Sequence, residues 1–417
     1  MQEPVYIRLI FALYRLLWTC ITPFLLRSPR LREGASERTL REVNFSRVDI
    51  WMHAASVGEA FIARQIVASL DSPERLDILI TTNTSQGREI LLKDLEKEGH
   101  RITVTYMVFD NPSLVRKAMA VADPQLLILI ELEIWPALLA EIKRRNKKTL
   151  IVNGRMTERS FRGYRKTAFL WKRLAPDVIL AISEADRKRF QELFQGEETH
   201  QVSNIKFDRM DRCQVVEKPA GPGKLLVLAS IRKEEEEEVL FLITESLKIF
   251  PELRIDLFPR HLHRVKSWEK LLAGKEISCG KKTANPAEGS CSVLIWDVFG
   301  ELTRGYQRAD AVFVGGSLAP LGGQNFIEAF MNGVVPVTGP HLSNFLWAGK
   351  EVFQQGLVRK GESKEEVLQL LTDSLRNPGE RESIRRKADN YIRSKQGGSR
   401  KTCQYIVKLL QMSESNH

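Results

Sequence analysis

Carboxylates, basic side chains and glycines in this 417-residue chain gather just behind short apolar runs, where a strand would give way to a loop. The first such junction reads His53-Ala54-Ala55-Ser56-Val57-Gly58-Glu59. Its small residues permit a tight turn, and Glu59 opens the helix that follows. An acid in a helix's first turn can simply complement the dipole. The same carboxylate at a cleft floor is a general base. Both readings stand for Glu59 on local sequence. A second acid, Glu131, follows the apolar run Leu126–Ile130 and leads into Leu132-Glu133-Ile134-Trp135-Pro136. A carboxylate seldom sits there for stability alone, so Glu131 reads as functional and Trp135 and Pro136 as structural.

Other junctions suit an anion. Phe258-Pro259-Arg260-His261-Leu262-His263-Arg264 joins a strand end to guanidinium forks that match phosphate oxygens, and its arginines oppose a metal on the two histidines. Trp296-Asp297-Val298-Phe299-Gly300-Glu301 ends another run. Val314-Gly315-Gly316-Ser317, with Gly322-Gly323-Gln324-Asn325-Phe326-Ile327-Glu328 behind it, forms a glycine-rich loop whose amides can approach a phosphate. Asn325 and Glu328 share a helical face and could grip a ribose. Thr81-Thr82-Asn83-Thr84-Ser85-Gln86-Gly87-Arg88 reads as a helix cap. The chain has no D-x-D, no H-E-x-x-H, no G-x-x-x-x-G-K-[ST] and no G-x-S-x-G. Those absences oppose a kinase, a zinc protease, a serine hydrolase and a metal-bound sugar nucleotide.

The elements that must position these groups alternate. Strands are predicted at Asp49–His53, Leu76–Thr82, Ile102–Phe109, Leu126–Ile130, Thr149–Asn153, Val178–Ser183 and Gln201–Ser203, most of them apolar throughout, as strands covered on both faces must be. After a Pro/Gly-rich linker the pattern restarts at Leu225–Ala229, Arg254–Phe258, Val293–Trp296, Ala311–Val314 and Val334–Thr338. Two such halves predict an α/β protein of two doubly wound sheets with ligands beyond the strands' carboxyl ends. The domain boundaries read 1–32 for an anchor helix, 33–207, a linker at 208–223, and 224–417 with the terminal helices.

Leu16–Leu26 is apolar but too short to span hydrocarbon. Extended backwards, it places Ile7, Ile10, Phe11, Tyr14, Leu17 and Trp18 on one helical stripe and Arg8 and Arg15 on another, the pattern of a helix lying in a membrane interface; an ordinary first helix packed on its own domain is the competing reading. Lys and Arg number 63 against 52 acids, a net charge of +11, with a mean hydropathy of −0.23. Between Glu141 and Arg173 twelve basic residues face two acids, and arginines alternate with Met156, Phe161 and Tyr164 as in an amphiphilic binding surface. Such a patch attracts polyanions. Five scattered cysteines with no C-x-x-C favour free thiols over a disulfide framework or a zinc site.

Taken in order, Ala55-Ser56-Val57-Gly58-Glu59, Glu131 to Pro136, Asn153-Gly154-Arg155-Met156-Thr157, Ser183-Glu184-Ala185-Asp186, Asn204-Ile205-Lys206-Phe207-Asp208, Pro259-Arg260-His261 and the run from Gly315 to His341 resemble 3-deoxy-D-manno-octulosonic acid (Kdo) transferases over nearly the whole chain. The resemblance implies a GT-B architecture, two facing Rossmann-like domains with a cleft between them. It implies an inverting, metal-independent transfer of Kdo from CMP-Kdo to a lipid A precursor (lipid IVA) in lipopolysaccharide synthesis. No cofactor is expected beyond that donor. Glu59 would accept the proton, and Glu131 and Lys206 would support the transition state. Pro259, Arg260, Phe299, Gly300, Glu301, Asn325, Phe326, Ile327 and Glu328 would hold the cytidine monophosphate, with the glycine-loop amides, Lys206 and Arg260 on the leaving phosphate. Arg88, Arg155, Arg159, Arg162 and Arg165 are the candidates for the acceptor's phosphates. The implied place is the cytoplasmic face of the inner membrane, on an anionic lipid surface, with no nucleic-acid partner. The chain departs from the family at Ala229-Ser230-Ile231-Arg232-Lys233-Glu234-Glu235, where A-S-T-H-E-G-E is usual, at Val298-Phe299 and at Ala329-Phe330. A GT-B transferase for another nucleotide sugar and a non-catalytic polyanion- or membrane-binding relative are the competing readings.

Overall fold

The computed structural model describes residues 4–93, 99–195, 198–210, 223–285 and 290–414. The chain forms two compact units, Met1–Met210 with Lys395–His417, and Asp211–Ser394. In the first, β1 (Ile50–His53), β2 (Asp77–Thr82), β3 (Arg101–Tyr106), β4 (Leu126–Ile130), β5 (Lys148–Gly154), β6 (Val178–Ala181) and β7 (Glu198–Gln201) pair in the order β3-β2-β1-β4-β5-β6-β7, all parallel. Side chains alternate across a strand. Ile50 and Met52 therefore join Ile128 and Ile130 in one core layer, while Trp51 joins Leu127 and Leu129 in the other. The predicted last strand, Gln201–Ser203, starts three residues early, at Glu198, because a polar edge strand carries no apolar signature.

The second unit holds β8 (Leu225–Ile231), β9 (Arg254–Pro259), β10 (Cys279–Lys281), β11 (Val293–Ile295), β12 (Ala311–Val314), β13 (Pro336–Thr338) and β14 (Arg359–Lys360), again all parallel, in the order β10-β11-β9-β8-β12-β13-β14. The short edge strands β10 and β14 have no counterpart among the predicted strands. In the first sheet the order reverses once, between β1 and β4; in the second the corresponding reversal lies between β8 and β12, with β11 inserted between β9 and β10. Loops diverge there and leave a crevice at the strands' carboxyl ends. Glu59 follows β1 and Glu131 follows β4.

Two expectations are corrected. The last helix, Gly398–Glu414, belongs to the first unit and not to a 224–417 domain: Cys403, Ile406 and Leu409 pack in the layer of Ile50 and Met52. Asp208 fastens it by accepting from Gly397 N at 2.6 Å and Ser399 N at 2.5 Å. Of the proposed linker, 211–222 lies outside the described residues, as does Cys213; Cys20, Cys279, Cys291 and Cys403 are free.

The second correction concerns the helix Val5–Leu25, which at 21 residues and mean hydropathy 1.4 is long and apolar enough to cross a membrane. The stripe assigned to the bilayer instead largely faces protein. Ile7 and Phe11 are buried, Tyr14 Oη donates to Asp110 at 2.9 Å, and Trp18 stacks on Phe109. The opposite stripe, Leu9, Leu13 and Leu16, is 58–60% exposed, and Leu17 is exposed with it. Both stripes are apolar, so periodicity alone cannot tell which one meets the core.

Candidate active site

Ser56 caps the helix Val57–Ser69, and a reciprocal cap fixes Glu59. Glu59 Oε1 accepts from Ser56 Oγ at 2.7 Å and Oε2 from Ala55 N at 2.8 Å. These bonds alone would favour the carboxylate. Burial outweighs them: Glu59 is only 7% exposed, and with Glu133 and Glu131 facing it the carboxyl is pushed up to about 7. Glu59 thus combines both readings of its sequence, a helix-start acid and a group poised to exchange a proton near neutrality.

Glu131 adopts φ +58°, a left-handed backbone that costs a non-glycine residue roughly 1 kcal/mol. Its N–H donates to Val152 O at 3.0 Å, and its carboxylate receives Lys206 Nζ at 2.7 Å. Lys206 stands on the one-turn helix Ile205–Phe207. Asn204 Oδ1 accepts from Lys206 N at 3.0 Å, and Asn153 Oδ1, at the end of β5, accepts from Ile205 N at 2.9 Å. The structure therefore brings Glu59, Glu131 and Lys206 to one side of the first sheet.

Two further members were not singled out in the sequence. Glu133 Oε2 accepts from Trp135 Nε1 at 2.9 Å and lies 3.6 Å from His53 Nε2. His53 Nδ1 is 3.0 Å from Thr81 Oγ1. The i,i+2 spacing of the two glutamates after β4 was the available signal. Asp110 is the other. It accepts from Ala137 N and Leu138 N, both at 3.0 Å, and so caps the helix Pro136–Arg144 that fixes the loop bearing Glu131 and Glu133; burial pushes its carboxyl up to about 7. Asp110→Ala would strand two amides and the Tyr14 hydroxyl. It is expected to lower stability by about 2 kcal/mol or more, read from the urea midpoint.

The candidate acceptor residues fall in two places, Arg88 after β2 and the other four after β5. Arg88 pairs with Glu37 at 3.2 Å and covers the Tyr106 ring. Arg155 is half-buried and Arg159 exposed. Arg162 and Arg165 are exposed, at 3.5 Å from Glu158 and 3.9 Å from Glu192. The expected amphiphilic surface is corrected in part. Met156 and Phe161 belong to the core, so their alternation with arginine reports a half-buried segment rather than a binding face.

In the second unit the glycine loop is already filled. Glu235 accepts from Gly316 N at 2.5 Å, Ser317 N at 3.2 Å and Leu318 N at 3.4 Å. A Cβ at Gly315 would lie 2.5 Å from the same carboxylate. The expectation that these amides receive phosphate is therefore overturned, because an internal anion holds them. Positive charge lies beside the loop. Arg260 is exposed after β9, and burial together with neighbouring Arg232 and Arg260 lowers the affinity of His261 for a proton. Arg232 is one of the departures noted above. Pro259 is buried in β9, and Phe299 is 69% exposed beside Gly300, whose φ is +83°. Glu301 pairs with Arg304 at 2.8 Å. Asn325 Nδ2 donates to Glu328 Oε1 at 2.7 Å, so the two meet, but not on a shared helical face: the helix starts at Ile327, and Asn325 precedes it with its Oδ1 accepting from Ile327 N at 3.1 Å. Phe326 and Ile327 turn their side chains into the core, which leaves only their backbone for a ligand.

A family model described as 3-deoxy-D-manno-octulosonic-acid transferase (kdotransferase) matches residues 28–209. The chain is 30% identical over 340 residues to the 3-deoxy-D-manno-octulosonic acid transferase of Haemophilus influenzae, covering 76% of this chain and 78% of that protein. With the enzyme of the same name from Rickettsia felis it shares 29% over 391 residues, covering 90% and 82%. It is 28% identical to a bifunctional glycosyltransferase/methyltransferase of Fusobacterium nucleatum, of which it spans 52%. A solved glycosyltransferase of Rickettsia africae, 13% identical, matches 88% of this chain and 99% of that one with a TM-score of 0.57, a likeness of fold. The two parallel α/β sheets are those of GT-B glycosyltransferases.

Proposed function

Because the chain belongs to the 3-deoxy-D-manno-octulosonic acid (Kdo) transferase family, we propose that it moves Kdo from CMP-Kdo to a lipid A precursor by an inverting, metal-independent displacement. The observation that carries this reading is the Glu59 carboxyl, fixed by Ser56 and Ala55 and pushed up to about 7 beside Glu131 and Glu133. Glu59 removes the proton of an acceptor hydroxyl as its oxygen attacks the anomeric carbon of Kdo. The bond from that carbon to the phosphate oxygen breaks, and CMP departs with the electron pair. Attack opposite the leaving group inverts the centre. Lys206, oriented by Glu131, and Arg260 offset the charge that develops. Phe299, Gly300 and Glu301, with Asn325 and Glu328, hold the nucleoside. Arg88, Arg155, Arg159, Arg162 and Arg165 serve the acceptor's phosphates, and the exposed stripe of the first helix rests on the cytoplasmic face of the inner membrane.

Mixing the protein with CMP-Kdo and lipid A precursor tests the reading. Release of CMP with a matching mass gain on the lipid supports it, and binding of CMP-Kdo without turnover sinks it. A general base must be ionised, so kcat/KM is expected to rise with unit slope up to about pH 7 and then level off. A profile flat across that range would remove Glu59 from the role. Arg260→Gln is expected to raise KM for CMP-Kdo roughly ten- to hundredfold, the worth of a charge-assisted bond to phosphate, with a smaller effect on kcat. Steady-state kinetics at varied donor concentration would show it.

A further inference from the structure

Away from Glu59 and Glu131, the first unit carries a second concave site. Beside the helix Val5–Leu25 lies a cavity of about 310 Å³ walled by Arg8, Arg15, Arg116 and Arg144, with Phe11 among its lining. That is room for about ten waters, or for one phosphodiester group. No acid lines it. Glu141, buried behind, lies 3.2 Å from Arg144 and 3.8 Å from Arg116, and it is also shared with Arg145. Among the described residues no carboxylate pairs with Arg8 or Arg15. Arg8 and Arg15, with no carboxylate partner among the described residues, leave a surplus of positive charge in a bounded space.

The cavity's position narrows the ligand. At 100° per residue, Arg8, Ala12 and Arg15 form a stripe between the protein-facing Ile7, Phe11 and Tyr14 and the outward Leu9, Leu13 and Leu16. An anion bound by Arg8 and Arg15 therefore lies alongside an exposed apolar strip. A molecule with a phosphate at one end and hydrocarbon at the other satisfies both. We propose that this cavity binds the phosphate of an anionic membrane phospholipid, whose chains run along Leu9, Leu13 and Leu16. The proposal rests on the cavity and the helix, and it holds whichever sugar the protein transfers.

Co-sedimentation of the full chain with vesicles tests it. Binding to phosphatidylcholine vesicles containing phosphatidylglycerol is expected to exceed binding to phosphatidylcholine alone by at least tenfold. Arg8→Lys/Arg15→Lys keeps every charge, and both positions are exposed, so folding is retained. Lysine lacks the two-pronged donor geometry of arginine. The pair is expected to lose about tenfold in partitioning to phosphatidylglycerol vesicles, and Arg116→Gln as much. A control pair in the second unit, Arg376→Gln/Arg386→Gln, should bind as wild type. Undiminished binding by the lysine pair would reduce the site to diffuse attraction, and equal binding to both vesicle types would reduce it to the apolar stripe. Saturable binding of inorganic phosphate that needs these arginines, with vesicle binding indifferent to them, would assign the cavity to a soluble anion and overturn the lipid.

Discussion

Glu59→Gln is expected to lower kcat by roughly 10²- to 10⁴-fold, the range for loss of a positioned general base. Glutamine is nearly isosteric and can still accept from Ala55 N, so substrate binding should change little and the loss should fall on kcat. The same variant makes a second prediction of opposite sign. The Glu59 carboxyl is raised from 4.5 to about 7 by burial and by Glu133 and Glu131. A raised carboxyl supports the fold fully below its unfolded value, and that support is lost as pH climbs through the folded value. At pH 8 the ionised group thus destabilises the protein, by an amount on the order of 3 kcal/mol for the full shift. Glutamine removes that cost. Its urea midpoint should exceed the wild type's at pH 8, and the difference should vanish near pH 4. A variant that is inactive yet more stable in alkali would separate chemistry from folding. Turnover within threefold of wild type would end the assignment.

The order of elements was legible because parallel strands covered on both faces are continuous apolar runs. Leu126–Ile130, fully buried, is the clearest case. What failed were strands whose pairing comes from neighbours rather than from their own side chains, β10 and β14 above all. Glu59, Glu131 and Lys206 were nameable from sequence, but their ranking was not. Ser56 to Glu59 reads equally as a helix cap, and only its burial in the folded unit, with Glu133 and Glu131 brought near it on the loop after β4, raises its carboxyl. The glycine loop misled for a related reason. Its amides invite an anion, and the anion is Glu235, some eighty residues earlier in the chain. Local sequence shows which groups could bind, and tertiary contacts decide which are already bound. The Asn204–Asp208 stretch shows this too: Lys206 serves the site while Asp208, two residues on, fastens the last helix.

Lys206→Met should be the second most damaging change, lowering kcat by roughly 10²- to 10³-fold, as for loss of one preorganised charge at a developing anion. Methionine fills similar space, so the loss would report charge rather than a cavity. The structure spends several fixed contacts on this ammonium. Asn204 holds its backbone at 3.0 Å, Asn153 holds the preceding residue at 2.9 Å, and Glu131 takes a strained left-handed backbone to meet it at 2.7 Å. Such placement favours a group needed at one point in space over a surface ion pair, which would be worth at most about 1 kcal/mol. If the pair were merely structural, Lys206→Met and Glu131→Gln would lower the urea midpoint together and leave kcat of the folded fraction intact. If it supports the reaction, kcat collapses while the midpoint moves little. Arg is the informative conservative change, since its planar fork cannot reproduce a point charge at 2.7 Å from Glu131, and Lys206→Arg is expected to restore the fold but not the rate. An arginine variant turning over at the wild-type rate would show that any cation in the neighbourhood suffices, and the positioning by Asn153 and Asn204 would then need another explanation.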